Sequence, residues 1–263
     1  MPLNALPAEW MQTRASLQAY AQALTAFPRV AAPKDRRWSH VAMDPTATGF
    51  ASASTPLADG TVLDSEIDLV GHVVVVSAGD DRLAFDLSEG PPPRQIGDAV
   101  MALTQKHGSD LDVDEDRFSN EATQTYDPAA ASAFFEASNA FVAAVRRVNG
   151  ALEGEIAGPH LWPHGFDIAT EWFSERTVDY DGSAANAQIA LGWYPVDDAY
   201  VYANPWPFMD EFADVALPAG AVWHREGWEG AKLDIPSDSG ISSEDVIAVG
   251  AAVHTGTRGS LGT

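Results

Sequence analysis

The sequence predicts an α+β protein with largely antiparallel sheets and flanking helices. Three observations carry that prediction. Two long stretches, one at the start and one near the middle, place apolar residues at helical spacing. Each is followed by several short runs rich in β-branched and aromatic residues, set apart by Gly, Pro and Asp. Each series of runs then closes with a further helical stretch. Runs of strands bracketed by helices belong to α+β architectures. The order, met twice, also suggests two pseudo-symmetric halves of a duplicated helix–strands–helix unit. These would be an N-terminal half, 1–118, and a C-terminal half, 119–263, packed as one globular unit, with the Gly/Ser/Thr tail after about 255 disordered.

The first helix is expected from about Pro7 to Phe27. Pro7 suits a first helical position, Pro28 should stop the helix, and Trp10, Leu17 and Leu24 recur at heptad spacing beside Tyr20 and Phe27. Strands are expected at 38–43, 47–53, 61–69, 72–77 and 82–87, with Gly79-Asp80-Asp81 turning the last pair. Glu89-Gly90-Pro91-Pro92-Pro93 then breaks the pattern. A helix follows with Ile96, Val100 and Leu103 on one face and Gly108 past its end. The acid-rich connector Ser109 to Asn120 carries Asp112, Asp114 and Asp116. It lacks the glycine and the final glutamate of a calcium loop and reads as an exposed linker or strand.

Asp127-Pro128 opens the second long helix as N-cap and first residue, with Phe134, Phe141, Val145 and Val148 on its buried face and Gly150 at its end. Further strands are expected at 166–173, 187–193, 199–203, 221–224 and 231–235. Ser242 caps a closing helix to about Val253.

The charge narrows the partners. There are 38 acidic and 15 basic residues, a formal net charge of -23, and only three lysines, Lys34, Lys106 and Lys232. Such a field repels phosphate backbones and anionic membrane surfaces, so neither nucleic acid nor a membrane is expected as a partner. The absence of cysteine removes disulfides, thiolate metal sites and cysteine nucleophiles. The N-terminus lacks the basic start and apolar run of a signal peptide, and no apolar run approaches the length of a membrane span. A cytoplasmic protein is the expectation. No nucleophile elbow, Walker loop, dinucleotide fingerprint or H-E-x-x-H helix is present, and no serine is marked by its neighbours.

One stretch, Gly158 to Phe173, concentrates potential ligands. His160 and His164 are four residues apart, Asp167 is three further on, and Trp162 lies between the imidazoles. Imidazole and carboxylate are suitable ligands for a divalent metal, which is the cofactor this set would hold, with Glu171 as candidate base. Pro163 and Gly165 oppose a helix here. In an extended segment 160, 162 and 164 share a face and Asp167 turns to the other. His40 sits beside Trp38, and Arg36 with Arg37 is the nearest thing to a basic cluster. Six of the eight tryptophans follow residue 160, and Gly192 to Phe208 adds three tyrosines. Trp162 and Trp206, held in loops by prolines, are expected as pocket walls.

Trp10, Thr13 and Arg14, the pair Trp38 and His40, the strand EIDLVGHVVVV, the run HLWPHGFD and the stretch Gly192 to Trp206 together resemble a family of uncharacterised bacterial proteins, a domain of unknown function. The resemblance covers nearly the whole chain and implies no activity. It does imply that His40, His160, His164, Phe166, Asp167, Tyr200, Tyr202 and Trp206 belong to matching motifs.

Three readings stand. One is a small-molecule binding protein whose aromatic, His-lined cleft between the halves uses Trp38, His40, Trp162, Tyr202 and Trp206. Another is a metal-assisted hydrolase with His160, His164 and Asp167 as ligands and Glu171 as base. The third is a structural protein with no site. Oligomeric state is not legible.

Overall fold

A computed structural model describes residues 3–218 and 220–262. Among them the chain forms four helices and twelve strands in antiparallel pairs, which is the α+β arrangement expected. The order helix, six strands, helix occurs twice.

Two compact units account for the internal contacts. One comprises 7–135 with the short segment His160–Phe166; the other comprises 1–6, 136–159 and 167–263. The His/Trp loop therefore belongs with the N-terminal unit, and the division falls inside a helix and inside a strand.

In the N-terminal unit α1 (Trp10–Ala31) buries Trp10, Leu17, Tyr20, Leu24 and Phe27 almost completely. It does not end at Pro28, which lies inside the helix. The missing N–H of Pro28 removes one hydrogen bond, but Phe27 and Pro28 are both buried, and the Ala32 N–H still closes on the Pro28 carbonyl at 3.0 Å. Tertiary burial outweighs the local break. The expected strand at 38–43 is instead a left-handed Trp38 followed by a 3-10 turn, Ser39–Val41, and only then β1 (Met43–Pro45).

A meander follows: β2 (Gly49–Ser52), the two-residue β3 (Thr55–Pro56), β4 (Val62–Asp68), β5 (Val73–Ala78) and β6 (Asp81–Asp86), paired in the order β1-β2-β4-β5-β6 with β3 on β4. Leu63, Ile67, Val74, Val76 and Ala78 alternate inward. Helix α2 (Pro93–Lys106) has Pro at its start, and its Gly97 leaves room for the Phe118 ring, which a Cβ there would meet at 2.1 Å. Phe118, from a 3-10 turn in the acidic connector, stacks on Phe27 at 6.1 Å between centroids. The connector is thus pinned by one aromatic residue.

Helix α3 (Pro128–Asn149) starts as expected, its Asp127 carboxylate accepting the N–H groups of Ala129 and Ala130. Its first turns belong to the N-terminal unit and the rest to the second. In the second unit the pairing order is β11 (Ala221–His224), β12 (Gly230–Asp234), β10 (Tyr200–Trp206), β9 (Ser183–Tyr194), β8 (Asp167–Tyr180) and β7 (Glu155–Trp162). Strands β8 and β9 run longer than their apolar cores because Asp181-Gly182, both at positive φ, make the two-residue hairpin turn that suits strand twist. Helix α4 (Ser243–Leu261) has a reciprocal cap between Ser242 and Asp245 and continues through the Gly-rich tail to a fully buried Leu261. Ser174 and Arg176 of β8 donate to the carbonyls of Leu261 and Ser260, so partners on the sheet hold a segment whose composition favours disorder.

Candidate functional site

The chemistry-bearing residues collect on two sheet faces, one in each unit. In the N-terminal unit β7 enters with His160, Leu161 and Trp162, and Met43 of β1 pairs with Leu161. That register sets Asp44 opposite His160, and its carboxylate meets the ring Nδ1 at 2.7 Å. The other ring nitrogen has no hydrogen-bond partner among the described residues. The rings of His160 and Trp162 on β7 and of His164 in the turn after it follow one another edge-on, at 6.0 and 6.1 Å between centroids. Helix α1 clamps the turn beyond them. Arg14 donates to the Gly165 carbonyl, Gln18 to those of Pro163 and His164, and Gln22 to that of Pro163. Four-residue spacing puts those three side chains on one helix face. Trp38 is 61% exposed and stacks on His40, which is buried, accepts the Asp35 N–H and is held towards its neutral form, first by burial.

The second unit carries the larger group. Register places Ala169, Gly192, Tyr202, Lys232 and Val222 in one row across β8, β9, β10, β12 and β11. Period-2 alternation adds Asp167 and Glu171 on β8, Tyr194 on β9, Tyr200, Asn204 and Trp206 on β10, and Asp234 on β12 to the same face. The opposite face, with Trp193, Val201 and Ala203, is buried and packs against α4, and Trp193 also meets Phe141 of α3. Because Gly192 has no side chain, the Tyr202 ring lies over β9, where a Cβ would come within 2.2 Å of it. The Tyr202 hydroxyl thereby reaches Asp167 on the next strand and donates to it at 2.5 Å. Burial first, then the charges of Asp167 and Glu171, push the phenol well above its ordinary pKa, so it is the donor. Glu171 is itself buried.

Trp228, from the turn between β11 and β12, lies parallel to Tyr200 at 5.8 Å and meets Tyr202 edge-on at 6.1 Å. Tyr194 and His224 extend the cluster, and Lys232 sets its ammonium 4.9 Å from the Tyr200 ring centre while pairing with Asp234. Trp206 stands apart from this group against the exposed Tyr180.

The structure thus joins Tyr202 to Asp167 and sets Glu171 beside them, and it groups His160 with Trp162 and His164. Among the described residues no group of three or more His, Asp or Glu side chains is placed to hold a metal ion. His160 has Asp44 as its partner and Asp167 has Tyr202. Asp44 has no part in the sequence expectations, Lys232 figures there only in the charge count, and Tyr194 and Trp228 only among the aromatic residues that follow residue 160. Only the i, i+2 spacing of Tyr200 and Tyr202 was visible in the sequence; the others reach the site through strand register.

The model of a family of unknown function, DUF5996, matches residues 3–232. The chain belongs to that family. The match takes in both groups of residues except Asp234 and stops short of α4. No curated protein and no solved structure matches the chain. No helix among the described residues is long and apolar enough to cross a membrane.

Proposed function

We propose that this member of the family is a small-molecule binding protein whose ligand lies on the aromatic face of the second unit. The observation that supports the reading is the platform of Tyr200, Tyr202 and Trp228, bordered by carboxylates at Asp167 and Asp234 and by the Lys232 ammonium. Flat aromatic surface recognises either cations or the C–H faces of polar rings. Lys232 already holds a positive charge over Tyr200, so the chain itself fills the cation position. What remains is uncharged ring face with acceptors and a donor at its edges. That combination suits a neutral, polyhydroxylated ligand such as a sugar, whose hydroxyls need both kinds of partner. A cytoplasmic location is part of the proposal and rests on composition alone.

The test is a melting and tryptophan-emission titration with a panel of mono- and disaccharides, run on the wild type and on Trp228→Ala. A sugar that raises the melting temperature and alters emission in the wild type only is the expected result. A panel that moves neither protein overturns the proposal.

A further inference from the structure

The second unit also holds a small pocket on the other side of its sheet, away from the aromatic platform. Gly250 and His254 of α4, one helical turn apart, face Asn149 at the end of α3, Thr170 and Trp172 of β8 and Leu191 of β9 across it. Its enclosed part has room for one water molecule, and its walls are mainly apolar. His254 is 4% exposed and stands edge-on to Trp172, with ring centres 5.0 Å apart. Its Nε2 is buried and bonds to no protein atom, whereas Asn149 and Thr170 bond to each other at 2.8 Å. A buried imidazole nitrogen left without a partner is destabilising. Native proteins leave few such groups, and a gap of this size beside one such nitrogen is where an internal molecule is found.

We propose that this pocket is a binding site for a single hydroxyl group hydrogen-bonded to His254 Nε2, supplied by water or by a short aliphatic alcohol whose carbon chain follows the apolar walls. Gly250 keeps the space open, because a Cβ there would come 2.7 Å from Leu191 Cδ2. The site is independent of the aromatic platform and stands or falls separately from it.

The experiment is nuclear magnetic resonance on the full chain, following magnetisation transfer from water to the His254 and Trp172 rings and the 15N shift of His254 Nε2. The wild type should show transfer at both rings. His254→Phe, which keeps the volume but removes the nitrogen, should lose it at Trp172. Gly250→Ala should lose it by filling the space. Titration with ethanol and propanol separates the two sources. A saturable displacement of the water signal with a shift at Nε2 identifies an alcohol site, and a signal that no alcohol displaces identifies water; both support the proposal. A wild type with neither water transfer nor a saturable alcohol shift overturns it, whatever the variants do.

Discussion

Tyr202 and Gly192 depend on each other. Removing the hydroxyl in Tyr202→Phe takes one donor from Asp167, and we expect a loss of about 1–2 kcal/mol in urea unfolding. Gly192→Val acts from the other side, driving the ring off the strand. Its expected cost is larger, about 2–3 kcal/mol, since the nearest atoms belong to a packed aromatic ring. If Gly192→Val unfolds at the same urea concentration as the wild type, the ring does not lie over β9. Neither residue declares this in the sequence. A glycine before Trp193 and a tyrosine ten positions later are unremarkable until β9 and β10 pair.

Two histidines give opposite pH signatures. His107, at the end of α2, sets Nδ1 2.7 Å from Asp59 and Nε2 3.0 Å from Asp81, so both nitrogens meet carboxylates only as donors. The bond to Asp59 first, and that to Asp81, raise its pKa against a partly opposing desolvation. A raised folded value means stabilisation present below the unfolded value of about 6.5 and lost as pH rises through the folded one. The clamp ties α2 to the turn before β4 and to the start of β6. His107→Gln should therefore remove the part of the stability that declines as pH rises above about 6.5, read as a flatter urea midpoint on that side.

In α4 burial first and Arg258 second lower the pKa of His254. Its contribution is present above about 6.5 and lost as pH falls through the folded value, so His254→Phe should flatten the acid side instead. The start of the same helix offers an independent check. Ser242→Ala breaks the reciprocal cap with Asp245 and should cost about 1 kcal/mol, measured by urea unfolding.

The net charge of -23 bears on the protein as a unit. Self-repulsion of that size opposes the compact state and is screened over about 10 Å at moderate ionic strength. The melting temperature should climb with added sodium chloride, and a flat response would show that local ion pairs already balance the field. Most ion pairs among the described residues involve exposed carboxylates, such as Arg147 with Glu244 and Arg225 with Asp210, and exposed pairs contribute little each.

Local pattern was enough for the class, the four helices and most strands, because apolar periodicity and caps such as Asp127 and Ser242 are short-range signals. It was also enough to mark the run His160, Trp162 and His164 and the pair Tyr200 and Tyr202, since short spacings are written in the chain itself, although His164 lies in the turn after β7. It failed at Pro28, where buried neighbours carry the helix through a local break, and in the tail, where Ser174 and Arg176 hold the end of α4 from another strand. The partners were beyond its reach for one physical reason. Asp44 meets His160, Trp228 meets Tyr200 and Asp167 meets Tyr202 across separations of 28 to 116 positions, and strand register and helix packing, both properties of the folded chain, set those meetings.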